Sequence, residues 1–248
     1  MSKIALVTGA SRGIGAATAL DLAKLGYDVC VNFKSNDALA LNVVSKINQI
    51  GKKAIAIKAD VSKEEDVLKL FSQIDSKLGR ISALVNNASI LMPQSRVEDL
   101  TAERINHLMA TNVTSYFLCC REAIKRMSTK NGGNGGAIVN VSSAASRLGS
   151  PHEYIDYAAT KGAIDTLTTG LSLELAGEGI RVNCVRPGFI HTGMHSDGGE
   201  PDRINRVKDN IPLKRGGLPS EVSSAISYLI SEQASYVTGS FIDLAGGK

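Results

Sequence analysis

The chain contains 248 residues, of which 43% are hydrophobic and 4% aromatic, and its formal net charge is +4. This length supports a full-sized hydrophobic core, and no run approaches the ~18 consecutive apolar residues that a transmembrane helix needs. The small net charge, the lack of tryptophan and the lack of a basic run argue against nucleic-acid binding. We therefore expect a globular protein with neither a nucleic-acid nor a membrane partner.

Strand-like and helix-like segments alternate along the whole sequence. Apolar runs rich in strand formers predict strands at 3–8, 28–33, 54–58, 82–86, 136–142, 180–186 and 239–243. The stretches between them predict helices at 13–25, 36–51, 63–79, 101–129, 156–178 and 219–231. Most strands are apolar at successive positions, as is typical of parallel strands covered on both faces. We therefore predict an α/β fold, a doubly wound parallel sheet with helices on both faces, in a single domain spanning 1–248.

A glycine-rich turn follows the first predicted strand at once and leads into a helix. Its sequence, GASRGIG, has the glycine spacing G-x-x-x-G-x-G. A strand, a glycine-rich turn and a helix start together aim backbone N–H groups and the helix dipole at a pyrophosphate. The predicted cofactor contacts in this turn are Gly9, Ser11, Arg12, Gly13, Ile14 and Gly15.

Tyr157 and Lys161 are four residues apart in the predicted helix 156–178, so their side chains leave the same face. A free phenol has a pKa near ~10, and one cation at about 4 Å can lower it by roughly 2–3 units. This spacing favours a general acid/base acting on an alcohol or a carbonyl. The alternative is an aromatic ring packed under a lysine stem.

With these two motifs, several other stretches identify a family. They are TGASRGIG (8–15), Asp60–Val61, NNAS (86–89), Asn112, IVNVSS (138–143), RVNCVRPGFIHT (181–192) and YVTGSFIDLAGG (236–247). From Lys3 to Gly247 the chain resembles the short-chain dehydrogenase/reductases, and it is most similar to bacterial enzymes of the glucose-dehydrogenase and 3-oxoacyl-carrier-protein-reductase type. The resemblance implies a Rossmann-like seven-stranded sheet of order 3-2-1-4-5-6-7. It also implies hydride transfer between NAD(P) and a small-molecule carbonyl or alcohol, and a homotetramer (or dimer) formed through 101–129 and 156–178.

The resemblance assigns catalytic roles to Asn112, Ser143, Tyr157 and Lys161. Ser143 is expected to bind the substrate oxygen and Tyr157 to exchange the proton, while Lys161 lowers the pKa of the phenol and bonds the nicotinamide ribose. Asn112 is expected to order a water that links Lys161 to solvent, which requires the helix to open locally, as in a π-bulge. Ser142 is an alternative to Ser143 for binding the substrate oxygen. Strand alternation points the two side chains in opposite directions, and the family pattern matches Ser143.

Charge near the second strand indicates which nicotinamide cofactor binds. Phe33 stands where NAD-dependent relatives carry an acidic residue, and Lys34 follows it. A ribose 2′-phosphate would be attracted by Lys34 and Arg12, so NADP is predicted over NAD, with NAD still possible. The alternative is that both cations are solvated, with Asp37 close by. The remaining predicted cofactor contacts are Asn32, Lys34, Asp60, Val61, Asn87, Ala88, Tyr157, Lys161, Pro187, Gly188, Ile190 and Thr192.

Two of these contacts have structural alternatives, since Asn87 could cap a turn and Thr192 could cap a helix. Ser143 and Tyr157 are fourteen residues apart, one more than is common in the family. His152, Glu153 and Tyr154 in this interval are candidates to line the substrate pocket, and 189–217 is predicted to form a lid over it. A sugar, a polyol, a carrier-bound ketoacyl chain and a steroid all remain open as substrates. A non-catalytic NADP-sensing protein and a non-redox dehydratase or epimerase remain alternative functions.

The four cysteines have no C-x-x-C spacing and lie in apolar stretches, so they are interpreted as buried thiols in a reducing compartment. His191 and His195 are four residues apart but flank a glycine, and no metal site is predicted. The beginning of the sequence, MSKIALVTGA, lacks the pattern of a secretory leader, which makes a cytoplasmic location the expectation.

Overall fold

A single sheet of seven parallel strands runs through the computed structural model, which describes residues 3–248. Its order is β3-β2-β1-β4-β5-β6-β7, and both the predicted fold class and the predicted strand order are confirmed. The strands are β1 Lys3–Val7, β2 Tyr27–Phe33, β3 Ala54–Lys58, β4 Ala83–Asn86, β5 Gly136–Val141, β6 Ile180–Pro187 and β7 Phe241–Leu244. The last strand begins two residues later than predicted, because Gly239 turns the chain at a φ of 69°.

Helices cover both faces of the sheet. They are α1 Gly13–Lys24, α2 Asp37–Gln49, α3 Glu64–Lys77, α4 Ala102–Met109, α5 Ser115–Met127, α6 Ala145–Leu148, α7 Ile155–Leu175, α8 Met194–Asp197, α9 Arg203–Val207 and α10 Pro219–Ile230. The predicted helix 101–129 is divided into α4 and α5 by a π-helical turn, Ala110–Thr114. The short helices α6, α8 and α9 lie in segments for which no helix or strand was predicted.

Strand alternation divides the core into two layers. In β1, Ala5 and Val7 face the layer that contains α1, α2 and α10, whereas Ile4 and Leu6 face α3, α5 and α7. All four side chains are buried, and burying one Val, Leu or Ile contributes about 1.5–3 kcal/mol. The doubly covered sheet therefore explains why the strands are apolar at successive positions.

The strand register brings the polar ends of the central strands to one edge. Val7 of β1 lies beside Val85 of β4, and Asn86 lies beside Asn140 of β5. The strand order reverses between β1 and β4, and ligands of open α/β sheets bind in the crevice outside the carboxyl ends at such a point. The fold therefore positions a site at the carboxyl edge of β1, β4 and β5.

Among residues 3–248, no helix combines the length and the apolar character that crossing a bilayer would require.

Candidate active site

The segment 87–90, directly after β4, contacts both the glycine-rich turn and the predicted catalytic residues. Asn87 donates from Nδ2 to the carbonyl oxygen of Gly9 at 3.2 Å, and the Cα of Ala88 would lie 3.0 Å from a Cβ on Gly9. Ser89 lies beside the phenol of Tyr157, while Ile90 exchanges two hydrogen bonds with Asn112. The sheet edge therefore brings residues from distant parts of the sequence into one crevice.

The glycine-rich turn is packed too closely for side chains at its centre. A Cβ on Gly15 would lie 2.5 Å from the carbonyl oxygen of Gly9 and 2.6 Å from Nδ2 of Asn87. Helix α1 begins at Gly13 without a side-chain cap and without an acidic residue in its first turn. Its first N–H groups are therefore available to an anion, and the turn fits a dinucleotide pyrophosphate.

The side chains of Asn87 and Asn32 form hydrogen bonds with the backbone of this turn. Besides Gly9, Asn87 donates to the carbonyl oxygen of Thr8 at 2.9 Å, so the turn-capping alternative for Asn87 is confirmed. Asn32 is fully buried, accepts from the N–H of Gly9 at 3.4 Å and donates to the carbonyl oxygen of Ala59 at 3.1 Å. Their hydrogen bonds thus stabilise the turn, and their direct contact with a cofactor stays a prediction.

Cations surround the end of β2, where a ribose phosphate is expected. Lys34 forms an ion pair with Asp60, Nζ to Oδ2, at 2.9 Å. Burial alone would raise the pKa of Asp60, but hydrogen bonds from Ser62 and Lys34 outweigh it and lower that pKa. Asp37 is paired instead with Lys58 at 3.2 Å, so the carboxylate that could have opposed a phosphate is already neutralised by a neighbour.

Other predicted cofactor contacts line the same edge of the sheet. Val61 is buried beside Asp60, and Phe33, which is not a predicted contact but occupies the position of the acidic residue, is buried in the core. Arg12 is exposed in the glycine-rich turn and pairs with Asp197 of α8. Ser11 and Ile14 are partly exposed in that turn.

The segment after β6 closes the crevice from the other side. Pro187 is buried, and a Cβ on Gly188 would lie 2.9 Å from the Cα of Ala245. Ile190 pairs with Gly217 in an isolated parallel bridge. The Thr192 methyl group lies against Gly13, 3.3 Å from the position of a Cβ there. The alternative role of Thr192 as a helix cap is wrong, because α8 is preceded by Gly193 and has no side-chain cap.

The hydroxyl of Ser143 faces the crevice, whereas that of Ser142 faces away. Ser142 is buried and donates to the carbonyl oxygen of Lys161 at 3.1 Å. Ser143 is partly exposed, accepts from the N–H of Ala145 at 3.1 Å and lies beside the phenol of Tyr157. The opposite directions follow from strand alternation and leave Ser143 as the hydroxyl that can reach a substrate.

Burial dominates the protonation of Tyr157 and Lys161. Burial raises the pKa of Tyr157 to about 12, although Ser143 and Ser89 oppose the rise. Burial also lowers the pKa of Lys161 to about 8. The pKa of Tyr157 is therefore raised in this arrangement rather than lowered as expected, since burial disfavours the charged form of both groups.

The ammonium of Lys161 binds oxygens of neighbouring elements. It donates to the carbonyl oxygen of Val141 at 2.9 Å and to the hydroxyl of Tyr116 at 3.4 Å. It also lies 5.5 Å from the centre of the Tyr157 ring. Tyr116 and Ser89 were missed as site residues; Ser89 stands in the NNAS stretch, while nothing in the sequence pattern marks Tyr116.

Asn112 lies within the π-helical turn, so the predicted local opening of the helix is confirmed. Its side chain is fully buried, accepts from the N–H of Ile90 at 2.8 Å and donates to the carbonyl oxygen of Ile90 at 3.0 Å. A further bond runs to Oγ1 of Thr160 at 3.3 Å. Asn112 thus ties the segment after β4 to α7, and its part in proton transfer stays a prediction.

The loop 150–154 and the predicted lid are joined by ion pairs. Glu153 pairs with Arg203 and, at 2.7 Å, with Arg206. The guanidinium of Arg203 lies 4.3 Å from the centre of the buried Tyr154 ring and 5.3 Å from that of Phe189. Through these contacts the segment 189–217 packs against the loop before α7, which is the position expected of a lid.

His152 is exposed and lies at a positive φ of 64°. A cavity of about 490 Å³ separates the glycine-rich turn from the lid and is lined by Gly13, His191, Thr192, Gly193, His195, Pro201, Asp202, Ile204, Asn205 and Pro219. Nε2 of His195 lies 3.0 Å from the carbonyl oxygen of Ile190 and is within hydrogen-bonding distance of it. Burial lowers the pKa of His195, so this side of the cavity is lined by a neutral imidazole at neutral pH.

Comparison with known proteins agrees with this geometry. The family model described as enoyl-(acyl carrier protein) reductase matches residues 9–248. The uncharacterized oxidoreductase YgfF of Escherichia coli K12 is 66% identical over 99% of both chains. The glucose 1-dehydrogenase of Gluconobacter oxydans is 40% identical over 99% of this chain and 91% of its own. The chain belongs to the short-chain dehydrogenase/reductase family.

A solved structure of the family shows how closely the fold is shared. A short-chain dehydrogenase from Burkholderia cenocepacia, in complex with NADP, superimposes with a TM-score of 0.90 at 30% identity and covers 99% of this chain and 97% of its own. As a short-chain dehydrogenase/reductase, the protein is an oxidoreductase that acts on CH–OH groups with a nicotinamide cofactor. The closely packed glycine-rich turn and the uncapped start of α1 fit that cofactor.

Proposed function

We propose that the protein is an NADP-dependent oxidoreductase that interconverts a secondary alcohol and a ketone or aldehyde, acting as one domain over 1–248. The observation that carries this proposal is the grouping of Ser143, Tyr157 and Lys161. Two hydroxyls face each other at the carboxyl edge of the sheet, above a buried ammonium and next to the glycine-rich turn. This grouping offers a carbonyl two hydrogen-bonding partners, one of which can give up its proton.

Each residue of the site has a separate role in the proposed reaction. The glycine-rich turn would hold a nicotinamide cofactor, which would supply or accept the hydride. Ser143 and Tyr157 bind the substrate oxygen, and Tyr157 donates its proton to that oxygen as negative charge develops there. The charge of Lys161 stabilises the phenolate that remains, while Asn112 holds the segment 87–90 and supports return of the proton from solvent. Because the pKa of Tyr157 is raised, the phenol is protonated at neutral pH, which favours carbonyl reduction.

The test of this function is oxidation of NADPH, followed at 340 nm, with a panel of carbonyl compounds. We expect turnover by the wild-type protein and loss of most turnover in Tyr157→Phe, with the dissociation constant for NADPH changed by no more than a few-fold. Turnover of Tyr157→Phe within tenfold of wild type would exclude this tyrosine as the acid. NADPH binding without any turnover would indicate a sensing protein, and substrate conversion without oxidation of NADPH would indicate a dehydratase or epimerase.

The preference for NADP is supported by the lack of an acidic residue at position 33 and by the cations Lys34 and Arg12. Lys34→Ala should lower kcat/KM with NADPH about tenfold and leave kcat/KM with NADH nearly unchanged, because one charge-assisted contact to a phosphate is lost. A matched control is Lys3→Ala, since Lys3 is similarly exposed and pairs with Glu232 at 3.1 Å. A higher kcat/KM with NADH in the wild-type protein would overturn the preference.

We further propose a cytoplasmic homotetramer, with a dimer as the smaller possibility. Phe117 on α5 is 52% exposed and Leu173 on α7 is 79% exposed, so both helices carry apolar side chains outside the core. Light scattering coupled to size-exclusion chromatography should give about four times the chain mass of 26.2 kDa. A Phe117→Asp/Leu173→Asp variant should dissociate, and a monomeric wild-type protein would refute the assembly.

A further inference from the structure

A second tyrosine, Tyr116, also contacts the predicted catalytic lysine: Nζ of Lys161 lies 5.3 Å from the centre of the Tyr116 ring and 5.5 Å from that of the Tyr157 ring. Tyr116 is the second residue of α5 and is only 1% exposed. Its hydroxyl donates to the carbonyl oxygen of Val141 at 2.9 Å and accepts from Nζ of Lys161 at 3.4 Å. Since Nζ itself donates to the same carbonyl oxygen at 2.9 Å, the three groups form a closed triangle.

The π-helical turn directs Tyr116 toward this position. A π-turn inserts one residue into a helix and so rotates the following helix by about 100° relative to an uninterrupted one. Helix α5 starts directly after the turn Ala110–Thr114, and the ring of Tyr116 packs in a small apolar cluster with Ile164 and Leu167 of α7. The ring therefore has a packing role of its own, whereas the hydroxyl has partners only in the triangle among the contacts of the described residues.

The charges around Lys161 explain why a neutral hydroxyl matters there. Cys184 and Asp165 are the groups that favour the ammonium, but Asp165, on the same helix, pairs with Arg186 at 2.9 Å. Cys184 of β6 is a neutral thiol, because burial raises its pKa to about 12. Tyr157 is a neutral phenol at physiological pH. A buried charge is costly unless hydrogen bonds compensate it, and here neutral oxygens provide those bonds.

We propose that Tyr116 is a positioning residue for Lys161, whose hydroxyl holds the lysine ammonium beneath Tyr157 and helps to keep it charged. The role in catalysis rests on the proposed function, whereas the contact with Lys161 does not. Tyr116 does not touch the substrate in this scheme and acts through the lysine alone.

The variant Tyr116→Phe tests this role, because it keeps the ring in its apolar cluster and removes one oxygen atom. We expect the alkaline limb of the profile of kcat/KM against pH, measured with NADPH and a carbonyl substrate, to move about 0.5–1 unit toward lower pH. At pH 9, kcat should fall about three- to tenfold while KM changes little, since the substrate contacts are intact. A profile that coincides with that of the wild type would overturn the proposal.

Tyr27→Phe is the matched control. Tyr27 is also a buried tyrosine, but it starts β2 at the opposite edge of the sheet. Its replacement should leave the pH profile unchanged. If Tyr27→Phe moved the profile as far as Tyr116→Phe does, the shift would reflect a general loss of stability, and the positioning role would be refuted.

A second measurement does not depend on turnover. The protein is labelled with ¹³Cε-lysine, the resonance of Lys161 is assigned by its absence in Lys161→Met, and its titration midpoint is measured. Tyr116→Phe should lower the midpoint by about 0.5–1 unit. An equal midpoint would refute the contact, even if the wild-type protein turned over no carbonyl. Lack of turnover with a shifted midpoint would instead refute the proposed function alone.

Discussion

Raising the pH from 8 to 10 should strongly destabilise this protein, because its four cysteines are all buried and free. Burial raises the pKa of each thiol, to about 12 for Cys120 and Cys184 and further for Cys30 and Cys119. A thiol in the unfolded chain ionises near pH 9.0, whereas the buried thiol stays neutral. The contribution of each thiol to stability is therefore complete below pH 9 and is lost as the pH rises toward the pKa in the folded state.

The size of the loss follows from proton linkage. At pH 10 an unfolded thiol is about 90% ionised, which favours unfolding by about 1.4 kcal/mol per thiol, or about 5 kcal/mol for four. Lys161 acts in the opposite direction: its pKa is lowered from 10.5 to about 8, so unfolding takes up a proton between these values. This proton uptake increases the free energy of unfolding by about 2 kcal/mol between pH 8 and pH 10. For these five groups the net loss is about 3 kcal/mol, to which the raised pKa values of Tyr116 and Tyr157 add, and it is large beside a total stability of roughly 5–15 kcal/mol.

Urea unfolding at pH 8 and pH 10, with a reductant present, measures this loss directly. Cys30→Ala should reduce the difference between the two pH values by about 1.4 kcal/mol, and Lys161→Met should increase it by about 2 kcal/mol. Each comparison is made within one variant, so the packing cost of the substitution cancels. A wild-type loss below about 1 kcal/mol, or an unchanged difference in Cys30→Ala, would refute the reasoning.

Three further predictions concern packing and the candidate site. Gly15→Ala should abolish NADPH binding in a fluorescence titration, because its methyl group would lie 2.5 Å from a backbone oxygen of the turn, whereas Gly170→Ala in open space on α7 should bind NADPH normally and be stabilised by roughly 0.5–1 kcal/mol. Asp156→Asn should lower the free energy of unfolding in urea by about 3 kcal/mol, since it leaves the buried guanidinium of Arg104 without its ion pair at 2.7 Å; Arg104→Met in the same chain should restore part of that loss. Asn112→Ala should lower kcat about tenfold or more, with NADPH affinity nearly unchanged, and an unaltered kcat would exclude its part in proton supply.

The alternation of apolar strands and helices was sufficient to predict the fold class and most of the element boundaries. Strand order was not contained in that pattern and came from the family resemblance. The break in 101–129 was expected at Asn112 only from the family resemblance, because ATNVT itself fits an α-helix locally. The π-turn there is accompanied by hydrogen bonds between Asn112 and Ile90, which are 22 residues apart in the sequence.

The residues of the candidate site that belong to a sequence motif were predictable. The contacts made by residues far away in the sequence were not. The spacing of Tyr157 and Lys161 correctly places both on one helix. It cannot show that Val141 and Tyr116, 20 and 45 residues away, provide the oxygens that the ammonium binds. It also cannot show how far the surroundings of the pair exclude water, which is why the pKa of Tyr157 is raised rather than lowered.

The raised pKa of Tyr157 changes how the acid/base pair is understood. A phenol made acidic by a cation would serve both directions of the reaction near neutral pH. A phenol with a pKa of about 12 is protonated there, which is the form that a substrate oxygen gaining negative charge requires, but it is a weaker acid than an ordinary phenol. Alcohol oxidation instead requires the phenol to lose its proton first. The rate of oxidation should therefore rise more with increasing pH than the rate of carbonyl reduction does. The charged Lys161 limits this cost, because a phenolate formed beside it is stabilised by its ammonium.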